Sequence, residues 1–210
     1  MIDSTLEYLY QLHNRGIKLG LENINKILHE CNNPHDKFQS IHLAGTNGKG
    51  STASIIAKIL QNAGQKVGLY TSPHLIKFNE RIRINGAPIS DKDIINFTKK
   101  YRDFFEKHSI TFFEATTAMA FDYFKKNEID IAIVETGLGG RLDSTNVLSP
   151  IHTVITEIDF DHTHLLGETV EEITAEKCGI IKNATRNTTI NTKSNIVEVI
   201  DRFSTKQKTK

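Results

Sequence analysis

The chain has 210 residues, of which 26 are basic and 25 acidic, and 38% are hydrophobic. This length suits one ordinary domain, or one and a fraction, with a sizeable core. The near balance of charge excludes a chain-wide field that would attract nucleic acid or an anionic membrane, so the expected partners are small molecules.

Cysteine usage and hydropathy favour a cytoplasmic protein. The two cysteines, Cys31 and Cys178, lie far apart in unlike contexts, which argues against a disulfide framework and for a reducing compartment. The first residues lack a basic stretch followed by an apolar one, and no later segment is apolar for long enough to span a bilayer. We therefore expect no membrane partner.

Residues 1–40 are predicted to form a helical N-terminal segment. Helical patterns cover residues 5–15 and 21–29, and Asn32-Asn33-Pro34 marks a break after them.

From residue 41 onward, short apolar runs typical of buried strands alternate with helical patterns. Strands are predicted at residues 41–44, 67–71, 129–135, 153–158 and 188–191. Helices are predicted at residues 51–62, 91–108, 114–127, 170–178 and 195–203, and capping-box spacings at Ser90/Asp93 and Thr111/Glu114 support two of the helix starts. The alternation predicts an α/β fold, a doubly wound and mainly parallel sheet over residues 41–203.

Two local patterns fall outside this alternation. Residues 81–84 alternate in polarity and are followed by Asn85-Gly86, which predicts a small β hairpin after the second strand. Residues 204–210 are polar and basic, and we expect them to form a frayed tail.

A glycine-rich turn between the first predicted strand and the following helix is typical of a phosphate-binding loop. Glycines let backbone N–H groups approach an anion, and the helix N-terminus adds the positive end of its dipole. The usual pattern G-x-x-x-x-G-K-[ST] is not met as written, because Leu43 replaces its first glycine and Gly50 follows the lysine. A simple tight turn is the alternative. We predict a nucleoside triphosphate, bound by Gly45, Thr46, Asn47, Gly48, Lys49, Gly50, Ser51 and Thr52.

Ligands of a doubly wound sheet bind beyond the carboxyl ends of its strands, where two further loops carry polar residues. Glu135 ends a predicted strand and precedes a triple-glycine loop, so its carboxylate is a candidate ligand for Mg²⁺; the alternative is a turn cap. Ser72 follows another strand and could offer its hydroxyl to a cation or a phosphate.

A third loop combines two carboxylates with two imidazoles, at Asp159, Asp161, His162 and His164. Such groups suit a divalent cation, and the loop position favours His162 as a ligand while leaving His164 undecided. The remaining histidines singled out are interpreted as surface residues: His13, His29, His35, His108 and His152. Lys177 ends a helix, where a lysine is ordinarily solvated.

Four segments of the chain together resemble folylpolyglutamate synthase and dihydrofolate synthase, a family within the Mur ligase superfamily. They are residues 43–51, residues 71–75, residues 135–143 and Asp161-His162, in matching order and spacing. The resemblance implies a Mur-ligase-type ATPase domain that uses ATP and Mg²⁺. It implies an ATP-dependent ligase that phosphorylates the carboxylate of folate or dihydropteroate and joins L-glutamate to it through the acyl phosphate.

The resemblance also implies residue roles. Lys49, Glu135, His162 and Lys177 would be catalytic, with Lys177 at the position of a family lysine that is carbamylated. Metal would be held by Ser72, Glu135 and His162, and the pteridine and benzoate part of the substrate would lie near Thr111, Phe113, Asp143 and Ser144.

Family members are considerably longer and carry a C-terminal glutamate-ligase domain, so we expect a truncated ATPase portion with low or no activity alone. An incomplete sheet with an uncovered face would invite self-association. Two alternatives remain: a non-catalytic module that binds nucleotide, folate or a partner, and another Mur-type amino-acid ligase. The second is disfavoured because about forty residues before the loop are too few for an extra nucleotide-sugar domain.

Overall fold

A single seven-stranded sheet organises the chain in the computed structural model, which describes residues 1–183 and 185–209. The strands in chain order are β1 (Gln39–Ala44), β2 (Val67–Tyr70), β3 (Ile82–Ile84), β4 (Ala87–Pro88), β5 (Ile131–Glu135), β6 (His152–Ile155) and β7 (Arg186–Thr189). Their order across the sheet is β4-β3-β2-β5-β1-β6-β7.

Strand directions confirm the predicted mainly parallel sheet. β1 lies between β5 and β6 and is parallel to both, and β2–β5 and β6–β7 are also parallel. The antiparallel pairs are β2–β3 and β3–β4. The β3–β4 pair is the predicted hairpin, and its turn uses Asn85 and Gly86 at φ 49° and 81°.

Eight α-helices connect and flank the strands within the described residues. They are α1 (Ile2–Gln11), α2 (Glu22–Glu30), α3 (Lys49–Asn62), α4 (Asp91–Lys107), α5 (Phe112–Lys126), α6 (Thr163–Leu166), α7 (Val170–Cys178) and α8 (Ser194–Lys206). Short 3₁₀ turns occur at Leu12–Arg15, Pro34–Lys37, Phe78–Arg81 and Ser144–Val147. Of the two predicted caps, Thr111/Glu114 is a full capping box, and Ser90 caps α4 by accepting the Asp93 N–H.

Element boundaries differ from the prediction at both ends of the chain. The helix predicted over residues 5–15 is α1 followed by a 3₁₀ turn. α8 continues to Lys206, so residues 204–206 are helical rather than frayed, while Lys210 of the predicted tail lies outside the described residues. The continuation has a simple cause, because the Gln207 N–H donates to the Phe203 carbonyl and closes another helical turn.

The helices cover both faces of the sheet, as doubly wound folds require. α3 packs on one face, against residues such as Leu43, Leu69 and Ile133. The N-terminal helices and α5 pack on the opposite face, around Tyr70 and Val134, and α7 and α8 extend that layer over β6. The two edge strands are β4 and β7, and the predicted self-association through the sheet stays a prediction.

This topology brings the carboxyl ends of the four central strands to one edge of the sheet. β1 ends at Ala44, β2 at Tyr70, β5 at Glu135 and β6 at Ile155. The loops that follow are the ones in which the sequence concentrates its glycines and polar residues. None of the helices formed by residues 1–183 and 185–209 combines the length and apolar character needed to cross a bilayer.

Candidate functional site

The loop between β1 and α3, together with the first turn of α3, has the form of a phosphate-binding loop. We call this segment, residues 45–52, the cradle. Gly48 is the N-cap of α3 and has φ 81°, a conformation that favours glycine. Because α3 begins at Lys49, its first-turn N–H groups have no partners inside the helix. They point to the same side as the positive end of the helix dipole, an arrangement suited to phosphate.

Close packing against β6 and the chain after it fixes the first half of this loop. The N–H groups of Thr46 and Asn47 donate to the Glu157 carbonyl at 2.7 and 3.2 Å. A Cβ atom on Gly45 would lie 1.9 Å from Thr156 Oγ1, so only glycine fits there. The loop is therefore held by contacts that a side chain at Gly45 would displace.

Two lysines converge on one carbonyl of the cradle. Lys49 Nζ donates to the carbonyls of Gly45 and Thr46 at 3.0 and 3.1 Å, and Lys177 Nζ donates to the Gly45 carbonyl at 2.8 Å. Lys177 is buried at the end of α7, and burial, with the neighbouring Lys49 charge as the next cause, lowers its pKa to about 8. The solvated position expected for Lys177 from its helix-end location alone is wrong.

Glu135 links the cradle to the loop after β2. One of its carboxylate oxygens, Oε2, accepts the Ser72 N–H at 3.1 Å, and a Cβ atom on Gly50 would lie 3.3 Å from the same oxygen. Glu135 is buried, and this burial raises its carboxyl pKa above the ordinary value. A buried carboxylate beside a serine and a phosphate-type loop fits Mg²⁺, which commonly uses one or two carboxylates together with phosphates and water.

His162 lies in the loop after β6, as the N-cap residue of α6. It has φ 46°, and its Nε2 is 3.5 Å from Asp161 Oδ1, while the His164 ring lies 6.1 Å away between centroids. Among the residues the structure describes, no three His, Cys, Asp or Glu side chains come together as a metal-binding group. A shared role of Glu135 and His162 toward metal thus stays a prediction.

A cavity of about 370 Å³ opens beside the Glu135–Ser72 contact. Its lining includes all four residues proposed for the organic substrate, namely Thr111, Phe113, Asp143 and Ser144, and also Ser72 and His162. The Phe113 ring packs over Gly137, where a Cβ atom would lie 2.5 Å from it. The Phe113 ring therefore forms an aromatic part of the cavity wall.

Asp143 shapes the wall of this cavity through four hydrogen bonds. Its Oδ2 accepts the N–H groups of Gly137 and Leu138 at 2.9 and 2.8 Å. Its Oδ1 accepts both the N–H and the hydroxyl of Thr145. The Thr145 oxygen in turn lies 2.7 Å from His42 Nε2 on β1. Through these contacts Asp143 fixes the conformation of the loop after β5.

Several cavity residues were not identified from the sequence. His13, interpreted as a surface histidine, stacks on Phe112 with 3.9 Å between ring centroids, and both line the cavity with residues 16–19. Arg81, assigned only to a hairpin strand, is buried and also lines the cavity. The sequence does show that these residues are cationic or aromatic and lie near the loops, which is the signal that could have identified them.

The sequence of this chain is similar to a known protein family and to known proteins. Residues 43–210 match the family model of the Mur ligase middle domain. The dihydrofolate synthase/folylpolyglutamate synthase of Bacillus subtilis is 45% identical over 192 residues, covering 88% of this chain and 45% of the relative.

Solved structures give the same result. The crystal structure of folylpolyglutamate synthase from Thermotoga maritima superposes with TM-score 0.90 at 39% identity, covering 99% of this chain and 49% of that one. An FPGS-AMPPCP-folate complex gives TM-score 0.91 at 35% identity, covering 100% and 53%. The chain thus spans about half the length of these proteins. It belongs to the Mur ligase family, with a middle domain similar to that of folylpolyglutamate and dihydrofolate synthases.

Proposed function

We propose that this chain forms the ATP- and folate-binding part of a ligase that joins L-glutamate to folate or dihydropteroate. The observation that carries the proposal is the contact between Glu135 and Ser72. Glu135 stands beside Gly50 of the cradle, whereas Ser72 lines the cavity, so a triphosphate and an organic acid would meet at this contact. The family membership and the FPGS-AMPPCP-folate complex support both ligands.

The reaction needs two steps, and the chain's own groups serve the first. The substrate carboxylate takes the γ-phosphoryl group of ATP and ADP leaves; the glutamate amine then displaces phosphate from the acyl phosphate to form an amide. Lys49 Nζ leaves the two loop carbonyls to which it donates and donates to phosphate oxygens instead. The first-turn N–H groups of α3 hold the triphosphate in line with the attacking carboxylate. In our proposal Glu135, Ser72 and His162 would hold Mg²⁺, which when bound would neutralise charge on the phosphate oxygens.

Lys177 is proposed to be carbamylated in the working enzyme. Its lowered pKa leaves a larger fraction of neutral amine, the form that combines with carbon dioxide, than an ordinary lysine has. The product would be an anion close to Gly45 and would replace the present ammonium contact.

Titration calorimetry tests the nucleotide site. The 210-residue chain should bind Mg-ATP, and Lys49→Ala should weaken binding by at least about tenfold because it removes a charge-assisted contact. Lys58→Ala changes an exposed lysine of the same helix and should leave affinity within about twofold. Equal affinity of the Lys49→Ala and unsubstituted chains would contradict the proposed site.

Turnover tests the ligase reaction. A longer protein with the length of the relatives should release ADP with Mg-ATP, L-glutamate and either dihydropteroate or tetrahydrofolate, and the preferred acceptor identifies the substrate. We propose that the 210 residues alone release little. Robust glutamate addition by the 210-residue chain would refute that part, and binding without turnover in the longer protein would favour a non-catalytic module.

A further inference from the structure

Arg81 is a buried cation that faces the cavity. Its side chain is only 7% exposed and lines the cavity together with Ser72, Thr111 and Phe112. Over residues 1–183 and 185–209, no carboxylate oxygen lies within 4.0 Å of its guanidinium. A buried charge is costly without a charged or strongly polar partner, so this position favours an anion in the cavity.

Backbone and side-chain contacts fix where the guanidinium lies. The Arg81 carbonyl accepts the Thr71 N–H at 3.0 Å, which places Arg81 beside the residue that precedes Ser72. Arg81 Nε donates to His74 Nδ1 at 2.8 Å, and the guanidinium carbon lies 5.2 Å from the centre of the Phe112 ring. Within the described part of the chain, one N–H group of the guanidinium is thus used, and the planar group is held against an aromatic wall with its terminal nitrogens remaining for a ligand.

The charged neighbours do not neutralise Arg81. His13 and His74 supply no negative charge, since an imidazole is either neutral or cationic. Asp143 is occupied by four protein donors, and Glu135 lies at longer range with Oε2 turned to the Ser72 N–H. Lys18, the other cation of the lining, donates to the Ser109 carbonyl.

We propose that Arg81 binds the carboxylate of the organic substrate and holds it at the Ser72 end of the cavity, next to the phosphate cradle. This inference rests on the proposed function and adds the residue that positions the group to be phosphorylated. A planar guanidinium suits it, because two parallel N–H groups can hold a carboxylate in one orientation.

A matched pair of ligands tests the proposal. Dihydropteroate and its methyl ester differ in the carboxylate charge, and their affinities are measured by titration calorimetry for the unsubstituted chain and Arg81→Gln. The unsubstituted chain should prefer the acid by about tenfold or more, and Arg81→Gln should reduce this ratio to about twofold or less. Arg81→Lys should give an intermediate ratio and serves if Arg81→Gln does not fold.

Control measurements distinguish failure of the proposed Arg81 role from failure of the proposed function. Mg-ATP affinity should change much less than the acid-to-ester ratio in each Arg81 variant, since the Arg81 side-chain contacts described above, with His74 and Phe112, do not involve the cradle. Lys18→Gln should keep the unsubstituted acid-to-ester ratio. If the acid-to-ester ratio is unchanged in both Arg81 variants, or is lost in Lys18→Gln, the proposed role of Arg81 is overturned and the proposed function is not. Failure of the unsubstituted chain to bind either compound would overturn the proposed function with it.

Discussion

Lys49 and Lys177 donate to the same acceptor, the carbonyl oxygen of Gly45, at 3.0 and 2.8 Å. Lys49 comes from the first turn of α3 and Lys177 from the last turn of α7, so two helices meet at one peptide group of the cradle. Two ammonium groups on one oxygen repel each other, and Lys177 is also the more deeply buried of the two. The arrangement therefore disfavours the charge of Lys177.

This relationship predicts a pH-dependent stability. The folded chain releases the Lys177 proton near pH 8, whereas the unfolded chain retains it to about 10.5, so the unfolded state binds more protons between these values. Stability should consequently rise with pH over that window. Between about pH 7 and about pH 9.5 the unsubstituted chain should gain about 2 kcal/mol relative to Lys177→Met, measured by urea unfolding.

Lys193→Met provides the control for this titration, since Lys193 is exposed at the start of α8. Its unfolding free energy should follow that of the unsubstituted chain at every pH. Parallel curves for Lys177→Met and the unsubstituted chain would show that the Lys177 ammonium is not disfavoured by folding.

Gly45→Ala is expected to disrupt the cradle through a steric clash. The added Cβ atom would lie 1.9 Å from Thr156 Oγ1 and 3.2 Å from the Glu157 carbonyl oxygen, so the loop must move away from β6. We expect Mg-ATP affinity to fall by at least about tenfold and stability by about 1–3 kcal/mol, measured by calorimetry and urea unfolding.

A compensating change checks the mechanism of that loss. Thr156→Ala removes the nearest atom, so Gly45→Ala/Thr156→Ala should recover part of both the affinity and the stability. Thr156→Ala alone measures the cost of the missing hydroxyl. If the double variant is no better than Gly45→Ala, the contact with Thr156 is not what requires glycine.

The parts of the site that could be predicted from sequence are those with local signals. The cradle and Glu135 each lie at the end of an apolar strand. Neighbouring parallel strands bring such ends together, and this does not depend on how distant segments pack. β7 was predicted two residues late, because its polar sequence Arg-Asn-Thr-Thr carries little strand signal and its pairing with β6, from His152 to Arg186, sets its position.

The cavity depends on packing between distant segments and was harder to predict. His13 reaches Phe112 only because α1 and the following turn pack against α5, a contact across about a hundred residues. Arg81 alternates with apolar neighbours as an exposed strand residue would, and its burial arises from the ring of Phe112 and from His74. No local pattern distinguishes such a cation from a solvated one.

Asp143→Asn should destabilise the fold as well as the cavity. Asp143 accepts four hydrogen bonds, and an amide would turn an NH₂ group toward the Gly137 and Leu138 N–H groups or toward the Thr145 donors. We expect a loss of about 2 kcal/mol in the free energy of unfolding, together with weaker folate binding, measured by urea unfolding and calorimetry.

Asp103→Asn, at an exposed position of α4, should leave the free energy of unfolding within about 0.5 kcal/mol. Folate binding that weakens in Asp143→Asn with no change in stability would instead assign Asp143 to direct contact with the substrate, as the sequence resemblance implies.

His42 is expected to make the fold sensitive to acid. Burial, together with the Lys182 charge, lowers the His42 pKa to about 3, whereas the unfolded chain takes up this proton near pH 6.5. The unfolded state therefore binds more protons below pH 6.5, and stability should fall as the pH decreases. From about pH 7.5 to about pH 5 this residue should account for a loss of about 2 kcal/mol.

The His42→Gln variant isolates that loss, because its amide can still donate to the Thr145 hydroxyl and has no proton to gain. Its stability should fall by about 2 kcal/mol less than that of the unsubstituted chain over this range. His29→Gln, on the exposed side of α2, is the matched control, and its stability should fall with acid as much as that of the unsubstituted chain. The Thr145 hydroxyl donates its one proton to Asp143 Oδ1, so its oxygen can only accept from His42 Nε2. We therefore expect the His42 ring to carry its proton on Nε2, which nitrogen NMR can observe directly. A proton on Nδ1 would make Nε2 an acceptor of the Thr145 hydroxyl and would remove that hydroxyl from Asp143 Oδ1, contradicting the proposed support of the cavity wall.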